Sequence, residues 1–241
     1  MNLFYDPNAQ EGLHELAENE ARHLIRVLRR RVGDAVQVVD GKGTVFTGRV
    51  HDLSSTSCTL DLRKSKQKPS RSIHNITLAV GPTKKADRIE WLVEKATEIG
   101  FDRLQPVLCA HSERPKLRLD RLEKVAISAM KQSLQSHLPQ IDEIVEFSDF
   151  LVEDSEDQKF IAYLGDELEE PVKNLVEAYT PESGRGVRIL IGPEGGFSPS
   201  EAAQAMKAGF QPVRLGPNRL RTETAALYAV QSLNIAQILA L

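Results

Sequence analysis

Arg221, Thr222, Glu223 and Thr224 stand together where the last helix of the chain should begin, directly after Leu215-Gly216-Pro217-Asn218-Arg219-Leu220. A cation, a carboxylate and two hydroxyls in four consecutive residues can bind and orient a polar ligand. The plainer reading of Arg221 is a surface ion pair with Glu223. Two other apolar runs end in similar junctions: Ile161–Leu164 runs into Gly165, and Ile189–Ile191 into Gly192-Pro193-Glu194-Gly195-Gly196. In open α/β sheets ligands bind beyond the carboxyl ends of strands, where residues without side chains let backbone approach the ligand. Three such junctions on one edge indicate a cofactor cleft. The glycine loop has neither the Gly-Lys-Ser/Thr of a nucleoside-triphosphate loop nor the GxGxxG pattern, so a phosphate cradle is disfavoured.

The elements that must position these residues follow from periodicity. Ser198-Pro199-Ser200-Glu201 is a capping box with proline at the first helical position, so a helix starts at about residue 199 and stops at Gly209. Strand-like runs at 76–80, 104–108, 160–164, 187–191 and 213–215 alternate with helical stripes. One stripe is Ile89, Leu92, Val93, Ala96 and Ile99, closed by Gly100; another is Leu119, Leu122, Val125, Ala126, Ala129 and Met130. Strands alternating with helices indicate an α/β domain with a mainly parallel sheet. The first 72 residues differ. Residues 35–39 and 44–50 flank Asp40-Gly41-Lys42-Gly43 as a hairpin, 59–62 alternates again, and short strands at this spacing suggest a small β-barrel. The segment 63–71 holds five basic residues in nine and reads as a linker or an exposed basic strand edge. The expected division is 1–72 and 73–241.

Charge supports that division. Residues 1–72 carry 12 Lys and Arg against 9 Asp and Glu, and the remainder 19 against 25, so the first module is the one suited to an anionic partner. Arg22, Arg26, Arg29, Arg30 and Arg31 occupy ten residues without an acid. Arg22, Arg26, Arg29 and Arg30 would share one face if the segment is helical. The 12 acids of residues 142–170 read as a solvated face and loop. Two cysteines 51 residues apart, with no CxxC, HExxH or Cys/His cluster, make a disulfide framework or a metal site unexpected and a reducing cytoplasm the default. No apolar run reaches membrane-helix length, and the N-terminus does not read as a signal peptide. The final helix carries Leu227, Val230, Leu233, Ile235, Ile238 and Leu239 around nearly its whole circumference, which suggests packing against a second subunit.

The pair GPEGGFS (192–198) and LGPNRLRTETA (215–225) resembles the C-terminal signature of the RsmE-type SPOUT methyltransferases, which methylate N3 of uracil in 16S ribosomal RNA. The segments 21–43 and 84–107 are similar to other parts of the same family. The resemblance implies a PUA-like N-terminal β-barrel, a C-terminal SPOUT domain with a trefoil knot, and a homodimer acting on 16S rRNA or the small ribosomal subunit. It also implies S-adenosyl-L-methionine held by Leu164, Gly165, Ile191, Gly192, Pro193, Gly195, Gly196, Leu215, Gly216, Asn218, Leu220, Arg221, Thr222 and Thr224. RNA would be held by Arg22, Arg26, Arg29, Arg30 and Arg31.

The chemistry of that reaction can be matched to residues. Uracil N3 carries a weakly acidic proton that must leave before N3 can attack. Arg221 suits stabilisation of the uracil anion; Glu223 or Glu194 could take the proton or orient Arg221. Ser232-Leu233-Asn234 fits a ribose 2′-O-methyltransferase of the same superfold, and a non-catalytic RNA-binding factor is a third reading. The intact GPEGG and RTETA favour base methylation.

Overall fold

The computed structural model describes residues 3–67, 75–153, 155, 157–165, 168, 171–182 and 184–240. The chain forms two units, Met1–Arg71 with Ile127–Leu138, and Ser72–Ala126 with Pro139–Leu241. The expected boundary at 72/73 and the last four residues of the basic segment lie outside the described residues.

In the first unit β1 (Leu3–Tyr5), β2 (Gly12–Glu15), β3 (Ala35–Val39), β4 (Thr44–Leu53) and β5 (Cys58–Gln67) form one sheet in the order β1-β3-β4-β5-β2. Only β1 and β3 pair in parallel. Asp40 makes the β3–β4 hairpin: its Oδ1 accepts the N–H groups of Lys42 at 2.8 Å and Thr44 at 3.0 Å, while Gly41 takes φ +77°. The basic segment is strand as far as Gln67, and its stretch from Arg63 pairs with β4 alone, as an exposed edge. Phe4, Leu24, Val36, Val38, Leu60 and Leu62 fill the core. Residues 127–138 pack here as well. Met130 joins Leu3, Val39 and Val45, and Lys131 reaches the buried Glu20 carboxylate at 2.6 Å.

The second unit runs β6 (Ile76–Val80), α2 (Ala86–Ile99), β7 (Arg103–Leu108), α3 (Leu119–Gln132), β8 (Gln140–Ile141), β9 (Val145–Glu146), α4 (Phe147–Val152), β10 (Gln158–Ala162), α5 (Leu175–Ala178), β11 (Val187–Ile191), α6 (Pro199–Lys207), β12 (Gln211–Val213) and α7 (Thr222–Leu239), α1 being Glu18–Arg22 of the first unit. Its sheet has the order β12-β10-β11-β6-β7-β8, with β9 beside β7, and every pairing is parallel. All five residues of β11 are buried, as a central strand covered on both faces requires. Because the strands are parallel, the segments leaving β6, β10 and β11 emerge at one edge.

One correction concerns charge. The acidic stretch 142–170 is not simply a solvated face. Asp142 and Glu153 bind Arg103, and Glu153 and Asp157 bind Arg188 at 2.8 and 2.9 Å, so that Arg188 is buried under its own counter-ions. Six acids of that stretch lie outside the described residues. Helix α7 buries Val230 and Leu233 within the chain and leaves Tyr228, Ile235, Ile238 and Leu239 exposed. No helix among the described residues is long and apolar enough to cross a membrane.

Candidate functional site

Strand β11 delivers the chain into a tight loop. Gly196 takes φ +71° and its N–H bonds the Pro193 carbonyl at 2.8 Å, a turn that favours glycine. The loop then enters α6 through the expected capping box: Ser198 Oγ accepts the Glu201 N–H at 3.2 Å, and the Glu201 carboxylate accepts the Ser198 N–H at 2.8 Å. The second carboxylate oxygen of Glu201 accepts the Ala110 N–H at 2.7 Å, which fixes the loop carrying His111. His111 lies against the glycine loop, with Nδ1 3.2 Å from the Gly196 carbonyl. A Cβ on Gly195 would stand 2.7 Å from the His111 Cβ, so the missing side chain at 195 makes room for a protein neighbour.

The loop and the start of α7 wall a cavity of about 660 Å³. Leu164, Ile191, Gly192, Pro193, Glu194, Gly195, Gly196, Leu220, Arg221 and Thr222 line it, joined by Arg88, Ala162, Tyr163, Phe197, Arg219 and Ala225. Thr222 Oγ1 donates to the Gly192 carbonyl at 3.0 Å, pinning the N-terminus of α7 to the glycine loop. Gly165, Leu215, Gly216 and Asn218 do not line this cavity. The last three belong to the segment that carries Leu220 and Arg221 into it, and Leu215 is buried.

Glu194 is tied down. Its carboxylate accepts the Lys84 N–H at 3.1 and 3.3 Å and Arg88 Nη1 at 3.2 Å, linking the loop to the start of α2. Arg88 also places Nε 3.6 Å from Glu223 Oε1. Glu223 is 7% exposed, and its Oε2 is buried without a hydrogen-bond partner among the described residues. Glu223 and Thr224 face a second, open cleft of about 880 Å³, with Lys85, Asp87, Arg88, Trp91, Arg219, Leu220 and Arg221. Arg88, Arg219, Leu220 and Arg221 thus form a wall common to both spaces.

Comparison with known proteins identifies the arrangement. Residues 69–234 match the model of the RNA methyltransferase domain, and residues 16–63 that of the RNA methyltransferase PUA domain. Ribosomal RNA small subunit methyltransferase E of Aquifex aeolicus is 31% identical over 97% of this chain and 99% of its own. Two crystal structures superpose over nearly all of both chains. One is a probable rRNA-methyltransferase from Porphyromonas gingivalis, 37% identical with a TM-score of 0.92 over 100% of each chain. The other is a ribosomal RNA small subunit methyltransferase E from Neisseria gonorrhoeae bound to S-adenosyl methionine, 30% identical with a TM-score of 0.86 over 98% of this chain and 97% of that one. The chain belongs to the ribosomal RNA small subunit methyltransferase E family.

Membership of this methyltransferase family accounts for the paired C-terminal motifs, and the remaining sequence candidates can be placed against them. Ser232-Leu233-Asn234 is structural here. Ser232 and Leu233 are buried, and Asn234 Nδ2 donates to the Gly100 carbonyl at 2.7 Å and the Val230 carbonyl at 2.8 Å, locking α7 to the end of α2. The arginine block does not form the helical face that its spacing allowed. Helix α1 continues as a π-helical turn over His23–Val27 and ends there, closed by the Leu28 N–H on the His23 carbonyl and the Arg30 N–H on the Leu24 carbonyl. Arg29 takes φ +50°, so Arg29, Arg30 and Arg31 leave the helix. Arg22 pairs with Glu18, and Arg30 lies 3.9 Å from Asp34. No cluster of three His, Cys, Asp or Glu able to hold a metal is present among the described residues. Sequence reasoning missed Arg88, His111 and Trp91.

Proposed function

We propose that this chain uses S-adenosylmethionine to methylate N3 of a specific uridine in 16S ribosomal RNA, as a cytoplasmic homodimer. The observation that carries the reading is the cavity in which the glycine loop after β11 meets the Arg-Thr-Glu-Thr start of α7. Its size is that of a small-molecule site, and its lining fits this cofactor: Leu164, Ile191 and Leu220 offer apolar surface for an adenine ring, and Gly192, Gly195 and Gly196 expose backbone groups. The loop formed by Leu215, Gly216 and Asn218, with Gly165 and Thr224 at its margins, completes the assigned cofactor residues. Bound S-adenosylmethionine supplies an electrophilic methyl group.

This chain's residues do the rest. Arg221 faces the cavity and stabilises negative charge on a uracil carbonyl oxygen as N3 loses its proton. Glu223, with a buried and unpartnered oxygen, takes that proton. Glu194, whose oxygens serve the Lys84 N–H and Arg88, holds the loop in place. The first unit is proposed as a PUA-like β-barrel that binds rRNA through Arg22, Arg26, Arg29, Arg30 and Arg31 by phosphate contact. The second is proposed as a SPOUT domain whose C-terminal segment forms a trefoil knot. The exposed apolar side chains of α7 support a homodimer. The two cysteine thiols, which burial pushes up to about 11 at Cys58 and about 12 at Cys109, suit a reducing compartment. Calorimetric titration with S-adenosylmethionine tests the reading: one site per chain is expected, and the absence of heat at millimolar ligand would refute it.

A further inference from the structure

We infer that Arg88 is a positioning residue for the methyl-donor cavity: as the cation shared by Glu194 and Glu223, it holds the glycine loop and the start of α7 together against the repulsion of two like charges. The inference rests on the methylation reading above and adds to it a residue outside both C-terminal motifs. Three observations carry it. First, Arg88 Nη1 donates to Glu194 Oε1 at 3.2 Å while its Nε stands 3.6 Å from Glu223 Oε1, so one guanidinium serves a carboxylate from each motif. Among the described residues no other side-chain cation lies within ion-pair distance of either carboxylate. Second, the surroundings fix where that cation stands. Arg88 lies in the first turn of α2. Just ahead of it the fully buried Thr83 donates Oγ1 to the Lys85 carbonyl at 2.8 Å, and Arg114 donates Nε and Nη2 to the Lys84 carbonyl at 3.1 and 2.8 Å. The Lys84 N–H in turn reaches the Glu194 carboxylate. Glu194 therefore keeps a backbone donor whatever residue stands at 88, and what Arg88 adds is charge.

Third, the two elements so joined wall the same cavity: Gly192 to Gly196 from the loop, and Arg221 and Thr222 from α7. The Thr222 bond to the Gly192 carbonyl crosses the seam between them. An ordinary surface ion pair contributes little. A cation flanked by two acids differs, because its loss turns an attraction on each side into a repulsion between them. The Glu223 side chain is 10% exposed and that of Glu194 31%, so solvent screens that repulsion only in part. Without Arg88 the seam is pushed open from the side of α2, and the backbone groups that the loop offers to the cofactor lose their place.

The sign of this effect makes it testable, because deleting a second charge should repair the loss of the first. The full-length protein and its variants are titrated calorimetrically with S-adenosylmethionine. Arg88→Met, which keeps the apolar stem without the charge, should weaken affinity roughly tenfold. Adding Glu194→Gln to Arg88→Met should recover most of that loss, since one of the two repelling charges is then gone. The deficit of Arg88→Met relative to wild type should also shrink as salt rises from about 0.05 to about 0.5 M, where repulsion is screened. Wild-type affinity in Arg88→Met overturns the inference. So does a deficit that neither Glu194→Gln nor salt relieves, which would mean that Arg88 packs against its neighbours or touches the cofactor itself. Arg88→Lys keeps the charge as a single ammonium and decides the matter should Arg88→Met not fold. Affinity within about threefold of wild type is expected of it, and a loss as large as tenfold overturns the inference. Failure of the wild-type protein to bind S-adenosylmethionine would instead bring down the methylation reading itself.

Discussion

Arg221 sits at the N-cap of α7, where the helix dipole already presents positive charge, and no side-chain cap bond offsets it. A cation in that place destabilises the helix end unless it meets an anion, and the anion expected is the deprotonating uracil. Arg221→Ala should therefore slow single-turnover methylation by about 100-fold, with cofactor affinity changed much less. A variant that binds cofactor poorly but methylates normally at saturation would make Arg221 a cofactor clamp. Gly195 carries a different prediction. Since an added Cβ would press on the His111 Cβ, Gly195→Ala should weaken S-adenosylmethionine binding by roughly tenfold through overpacking, and His111→Gly in the same chain should restore it. Persistence of the defect in the double variant would mean that the glycine is required by the ligand. Arg221, Gly192 and Thr222 were legible in sequence because their motifs are local. Arg88 and His111 were not: Arg88 meets Glu194 across 106 positions and His111 meets Gly196 across 85, separations at which no periodicity speaks.

Among the elements, those set by local chemistry were readable almost to the residue. Asp40 and its glycines define the β3–β4 hairpin, and Ser198, Pro199 and Glu201 define the start of α6. What escaped was decided by partners distant in the chain. The acids of residues 142–170 look solvated until Arg103 and Arg188 are brought beside them by β7 and β11. The arginine block loses its helical register where the π-helical turn ends and Arg29 turns left-handed. The Asp157–Arg188 pair also predicts a pH dependence. Burial pushes the Asp157 carboxyl up, but hydrogen bonds from Ser155 and Arg188, the Arg188 charge and the Gly186 N–H outweigh it and hold the group below its ordinary 3.8. A carboxyl depressed on folding contributes stability that is present above its unfolded pKa and lost as pH falls through the folded one. Asp157→Asn should accordingly be less stable than wild type at pH 7, with the gap closing below about pH 4 in urea titrations. A gap of constant size down to pH 2 would mean that the carboxylate charge is not what holds Arg188.

At the scale of the whole molecule, α7 exposes Tyr228, Ile235, Ile238 and Leu239 on one face while Val230 and Leu233 pack inward. Burial of such a face by a second copy predicts a dimer at micromolar concentration in multi-angle light scattering, and a Leu239→Glu, Ile238→Glu double variant should shift it toward monomer. A monodisperse wild-type monomer would remove the homodimer. The change from short alternating strands to strand–helix rhythm suggests two modules in the sequence. The return of residues 127–138 to the first unit is not legible there, because Ala129 and Met130 continue the stripe of α3 without a break. The most direct measurement is nucleoside mass spectrometry of unmodified 16S ribosomal RNA or small subunits incubated with the protein and S-adenosylmethionine. Methylation at N3 yields 3-methyluridine, one per RNA and absent without cofactor; 2′-O-methyluridine, or no methylated nucleoside from a folded, cofactor-binding protein, would contradict it.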